Sequence, residues 1–110
     1  MHIVFEGPDA VGKSTQIKLT KVYFESLGRK VILTREPGGT TVGLELRKIL
    51  LETDLPIHPR AEALMMAADR AQDVHEIIVP SVDSGMIVLS DRFISSSLVY
   101  QGVVRDLGID

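Results

Sequence analysis

The sequence contains no cysteine and no tryptophan, and its only aromatic residues besides histidine are three phenylalanines and two tyrosines. Without thiols there is no disulfide framework and no thiolate zinc site, a composition compatible with a reducing compartment. Long apolar runs are missing too: Ile3-Val4-Phe5 is broken at once by Glu6, too short for a secretory signal or a membrane span. The chain is therefore expected to be soluble and cytoplasmic, with no membrane partner. Nor is there an excess of positive charge. Twelve Lys and Arg against fifteen Asp and Glu give a formal charge of -3, so no overall basic field draws in a nucleic acid polymer. A small anionic ligand needs only a local patch. Repeats, low-complexity tracts and long Gly/Pro/Ser linkers do not occur.

What remains is ordinary globular material: 110 residues, 45% hydrophobic and 25% charged, enough for one small domain with a real core. Three short Val- and Ile-rich runs, residues 2–6, 30–34 and 86–90, read as strands buried on both faces. Helical stretches lie between and after them: 14–27, ended by Gly28; 41–52, with Leu44, Leu46, Ile49 and Leu50 apolar; and 60–79, followed by Pro80. A last helix is expected after the third strand. This alternation predicts an α/β domain with a parallel sheet flanked by helices, whose ligands sit beyond the carboxyl ends of the strands. Residues 7–14, residues 35–40 and Asp91-Arg92 all fall at such ends.

Gly7-Pro8-Asp9-Ala10-Val11-Gly12-Lys13-Ser14 satisfies G-x-x-x-x-G-K-[ST], and it follows a strand and precedes a helix, as a phosphate-binding loop must. Its glycines let backbone N–H groups and the positive end of the helix surround a phosphate. Lys13 would reach the β and γ phosphates and Ser14 would ligate magnesium, with Thr15 completing the triphosphate-binding set. The loop does not say what the triphosphate is used for. An acid ending an apolar strand, here Asp91, is often a helix cap or a solvated turn; beside a phosphate loop it is placed to approach the same magnesium. Arg92 follows it immediately.

Phe5-Glu6-Gly7, the T-R-E-P-G-G-T run from Thr34 to Thr40, Ala67-Ala68-Asp69-Arg70-Ala71-Gln72, and the D-R-F-I-S-S-S-L-V-Y-Q-G run from Asp91 to Gly102 follow one another in the order and spacing of the bacterial-type thymidylate kinases. The chain resembles the N-terminal part of that family over essentially its whole length. The resemblance implies a P-loop NTPase fold forming one nucleoside monophosphate kinase domain over residues 1–110. It implies ATP and Mg2+ as cofactors and transfer of the ATP γ-phosphoryl group to dTMP, giving dTDP for dTTP synthesis. It also implies ATP and dTMP as small-molecule partners and a homodimer.

Residue by residue, it assigns the acceptor phosphate to Arg47 and Arg92, with Glu36 and Asp91 holding the surrounding hydrogen-bond and metal network. The chemistry asks for cations there in any case, since two phosphates would otherwise repel, and Arg suits a bidentate clamp better than Lys. For Arg47 a solvated helix face beside Lys48 is the alternative. Asp9 matches the position facing the sugar 3′-hydroxyl near the transferring phosphoryl. Arg70, Ser96, Ser97 and Gln101 match positions around the thymine edge, and Tyr100 the position that crowds a ribose hydroxyl at C2′; Ser95, Ser96 and Ser97 could otherwise be an ordinary helix start. Asp69 and Arg70 are expected to line the cleft, because unpaired charges facing the core would be costly. Leu64, Met65 and Met66 read most simply as core, the usual meaning of apolar residues at helical spacing. The family generally carries an aromatic ring stacked on the base where this chain has Met66; a thioether can also lie against a ring face. His2, His58 and His75 have no metal-ligand spacing, and Glu6 is left open between strand capping and hydrogen bonding at the sheet end.

The loop holds no arginine, so the resemblance is to the subgroup whose catalytic arginine comes from a lid, expected beyond Asp110 with the elements that complete the sheet. Two other readings stand beside the kinase for dTMP: a kinase for another deoxynucleoside monophosphate, motivated by Met66, and a non-catalytic nucleotide-binding fragment, motivated by the missing lid.

Overall fold

Three parallel strands carry the site. In the computed structural model, which describes residues 1–8 and 11–93, they are β1 (His2–Gly7), β2 (Val31–Glu36) and β3 (Ile87–Phe93), in the spatial order β1-β3-β2. The last strand in sequence is the middle strand in space. That explains its unbroken apolar run: Ile87, Val88 and Leu89 are covered on both faces and are at most 1% exposed. Helix α1 (Val11–Ser26) follows β1, while α2 (Thr41–Leu51) and α3 (Pro59–Asp73) lie between β2 and β3. The helix expected after β3 lies outside the described residues.

The strands alternate their side chains between two faces. One face packs against α1: Ile17 joins Ile87 and Leu89, with Ile3, Phe5, Phe24 and Val31 around them. The other face meets α3 and becomes polar toward the carboxyl ends of the strands, where Thr34 and Glu36 reach α3 through Asp73 and Arg70.

The helix ends follow from local chemistry. Gly28, at φ 78°, closes α1, and Arg29 N–H bonds Phe24 O at 3.1 Å. Thr40 caps α2 by accepting Gly43 N–H at 2.8 Å, and His58 caps α3 by accepting Arg60 N–H at 3.0 Å. Boundaries differ from expectation in both kinds of element: β2 and β3 run on to Glu36 and Phe93, past the expected ends at residues 34 and 90. Helix α1 begins at Val11, not Ser14, so Lys13 belongs to its first turn. The third helix does not stop before Pro80: a π-helical turn, Val74–Ile78, leads into α4 (Val79–Asp83). Pro80 stands in the first turn of α4, where its missing N–H is tolerated, and the wider turn before it gives the ring room.

Candidate active site

Register decides what the strand ends can do. Glu6, Arg92 and Glu36 form one rung across the three strands, and Phe5, Asp91 and Arg35 form the rung before it. Neighbouring rungs point to opposite faces. Asp91 and Arg92, adjacent in sequence, therefore serve different sides of the sheet.

On the α1 side, Asp91 meets the lysine of the glycine-rich loop. Lys13 Nζ lies 2.6 Å from Asp91 Oδ1 and also donates to Gly7 O at 2.8 Å. Gly7, at φ 141°, turns the chain away from the sheet, a conformation open to glycine. Ser14 and Asp91 line a common cleft of about 370 Å³ together with Ile17, Lys18, Leu33 and Arg35. Thr15 directs its hydroxyl to Val11 O within the helix, at 2.9 Å.

On the α3 side, Glu36 is 1% exposed and gathers two arginines on one oxygen. Arg92 Nε donates to Glu36 Oε2 at 2.6 Å, and Arg70 Nε donates to the same atom at 3.2 Å. Arg92 Nη1 also donates to Glu6 Oε1 at 2.6 Å. Burial works against the Arg92 cation, but Glu36 and then Glu6 outweigh it and hold the guanidinium above its usual range, so it stays charged. Arg70 keeps about half of its side chain in solvent, so it can meet a ligand while anchored at Nε. Arg47 Nη1 donates to Pro37 O at 2.8 Å, and Arg35 Nε donates to Gly38 O at 3.3 Å. The turn at 37–38 thus gathers arginines through its carbonyls.

Asp69 corrects an expectation. It does not line the cleft; it is fully buried beneath the 36–40 turn, where Oδ1 accepts Gly38 N–H at 3.0 Å. Asp73, one helical turn on, is equally buried and accepts from Thr34 Oγ1 at 2.5 Å. Burial is the main cause that raises both carboxyls above the ordinary range; Gly38 N–H opposes it at Asp69, Thr34 opposes it at Asp73, and the nearby Glu36 charge reinforces it at each. Glu36 Oε1, Asp69 Oδ2 and Asp73 Oδ2 have no hydrogen-bond partner among the described residues.

The structure thus brings together Gly7, Lys13, Ser14 and Asp91 on one side and Glu36, Arg70 and Arg92 on the other. Met66 is half-buried, and Leu64, expected in the core, is 60% exposed. Asp9, Ala10, Ser96, Ser97, Tyr100 and Gln101 lie outside the described residues. Sequence reasoning left Glu6 open and missed Thr34 and Asp73; the available signal was the spacing of four between Asp69 and Asp73, which puts two acids on one helix face.

A family model for thymidylate kinase matches residues 5–110. The chain belongs to the thymidylate kinase family. It is 48% identical over 108 residues to a thymidylate kinase of Caldicellulosiruptor saccharolyticus, covering 98% of this chain and 52% of that protein. To one of Thermosipho africanus it is 49% identical over 110 residues, covering 100% and 55%. To one of Halothermothrix orenii it is 51% identical over 110 residues, covering 100% and 53%. The crystal structure of thymidylate kinase from Ehrlichia chaffeensis superimposes with a TM-score of 0.79 at 39% identity, over 100% of this chain and 59% of that one. The three-stranded parallel sheet with its helices is thus part of a P-loop NTPase fold. The chain spans about half the length of the curated relatives it matches.

Proposed function

We propose that the full-length protein transfers the γ-phosphoryl group of ATP to dTMP, yielding dTDP and ADP, and that it does so in the cytoplasm, as a homodimer, in the synthesis of dTTP. Residues 1–110 are read as the N-terminal part of its single nucleoside monophosphate kinase domain. The observation that carries the reading is the division of β3: an acid paired with the loop lysine on one face, and an arginine held by two carboxylates on the other. Phosphoryl transfer needs two anionic groups brought close, each with its own cations.

On the donor side, residues 7–15 wrap the triphosphate, and Lys13 exchanges Gly7 O and Asp91 for phosphate oxygens. Asp91, released from Lys13, and Ser14 share the cleft wall and supply only oxygen atoms, which suits Mg2+. Among the described residues no group of three His, Asp or Glu could hold a metal, and a few protein oxygens suffice for an ion that otherwise keeps water and phosphate ligands. When bound, the ion neutralises charge on the transferring phosphates. On the acceptor side Arg92 and Arg47 bind the monophosphate, Glu36 orients Arg92 and Arg70, and Arg70 donates to the base, against which Met66 lies. Asp9 takes the sugar 3′-hydroxyl, and Ser96, Ser97, Tyr100 and Gln101 complete the nucleoside pocket.

Turnover of dTMP, dUMP, dCMP and dGMP by the full-length protein with ATP and magnesium tests this. A preference for dTMP is expected; preference for a non-thymine nucleotide, or no turnover at all, overturns it. Lys13→Ala should lower kcat by about 10²- to 10³-fold, whereas Arg92→Ala should act mainly through the KM for dTMP.

A further inference from the structure

Helix α3 sends two carboxylates under the 36–40 turn, and neither touches a reacting group in the chemistry above. Asp69 Oδ1 holds Gly38 N–H at 3.0 Å and Asp73 Oδ1 holds Thr34 at 2.5 Å. Two glycines are fitted to them. A β-carbon at Gly43 would strike Asp69 Oδ1 and lie 3.2 Å from Gly38 N; one at Gly39 would strike Thr34 Oγ1 and lie 2.7 Å from Asp73 Oδ1. The turn held in this way offers Pro37 O to Arg47 at 2.8 Å and Gly38 O to Arg35 at 3.3 Å. A leucine at position 69 would fill space without the cost of burying a carboxyl group; what it could not do is accept from Gly38.

We propose that Asp69 is a positioning residue for the acceptor phosphate: its bond to Gly38 N–H fixes the turn, and the turn, through Pro37 O, aims Arg47. The proposal rests on the reading of Arg47 as a phosphate ligand. A misplacement of about 1 Å at such a group can cost about a hundredfold in rate, so a buried tie two bonds behind the arginine matters to turnover. A purely structural Asp69 would behave differently: its loss would lower the melting temperature and the yield of active enzyme, and leave the Michaelis constants of the surviving enzyme alone.

Steady-state kinetics of the full-length enzyme separate the two. Asp69→Ala is expected to raise the KM for the acceptor, or lower kcat, by about tenfold or more, with the KM for ATP little changed. Asp69→Asn, whose Oδ1 still accepts from Gly38, should recover most of that loss. Gly43→Ala reaches Asp69 from the other side: its β-carbon would strike the carboxylate and crowd Gly38 N and Thr40 Oγ1, so the acceptor KM of the folded enzyme should rise, with the better helix propensity of alanine offsetting part of the clash in stability. An unchanged acceptor KM and kcat in Asp69→Ala overturns the proposal, and Gly43→Ala decides alone if Asp69→Ala does not fold. Should the unmodified enzyme prefer another monophosphate, the function proposed above falls and that acceptor is used here. Should it turn over none, amide exchange at Gly38 gives the answer: protection in the unmodified protein that is lost in Gly43→Ala supports the tie, and exchange at the free-peptide rate in the unmodified protein overturns it.

Discussion

Asp73, raised like Asp69, shows how a buried acid contributes to the pH response. Its carboxyl is raised chiefly by burial, against the Thr34 hydroxyl, so between the ordinary value of 3.8 and the raised value the folded chain binds more protons than the unfolded one. The stability it contributes is fully present below about pH 3.8 and is lost as pH rises through the folded-state value. Asparagine keeps the acceptor for Thr34 and removes the charge. Asp73→Asn should therefore melt close to the unmodified protein near pH 4 and several degrees above it near pH 8; thermal melts across that range check this, and an advantage that shrinks with rising pH would mean that the neighbours stabilise the carboxylate. At this scale the sequence was uneven. Lys13 follows from the loop pattern, and Glu36 and Arg92 from the family resemblance; the structure sets all three at the carboxyl ends of the strands. Asp69 departs from the expected cleft position because the cost of its burial is offset by a backbone N–H from a turn thirty-one residues away in sequence.

The elements were more legible than their ends. All three strands fell where apolar runs predicted them, and Gly28 and Thr40 stop and start helices through local hydrogen bonds that any reader of sequence can anticipate. Helix α1 started earlier than expected because the loop's last residues already wind as its first turn. The π turn at Val74–Ile78 escaped notice because Pro80 is read as a stop by any rule based on α-helical bonding. The 36–40 turn depends on close approach, and Gly39 is its tightest point: a β-carbon there would strike Thr34 Oγ1 and lie 2.8 Å from Arg35 O. Gly39→Ala should destabilise the protein by about 1–3 kcal/mol, read as a lower urea midpoint at unchanged slope. Wild-type stability would mean the turn can shift as a unit.

For the molecule as a whole, α1 and the residue that follows it carry several of the most uncovered apolar side chains among the described residues. Val11, Leu19, Val22, Tyr23 and Leu27 are each at least 59% exposed, and Leu33, beside the cleft, is 49% exposed. Patches of this kind mark surfaces that other protein covers. Prepared alone, residues 1–110 should bind a hydrophobic dye and associate in sedimentation, and the full-length protein should do neither to the same degree; a well-behaved, dye-silent monomer would show that these side chains are tolerated in water. How the fold divides labour across its faces was only half legible. The alternation of a strand is implicit in any sequence, but which face each rung meets depends on helices contributed by distant segments.

The pleat of β3 works as a sorting device. Two neighbouring codons, one for an acid and one for a base, are delivered to separate compartments by nothing more than the parity of their positions. Slipping the strand by one residue would turn Arg92 toward Lys13 on the α1 side and Asp91 toward Glu36 on the α3 side. Another branched residue at Ile87 should cost little, whereas one residue inserted between Gly85 and Asp91 would exchange the faces that Asp91 and Arg92 meet.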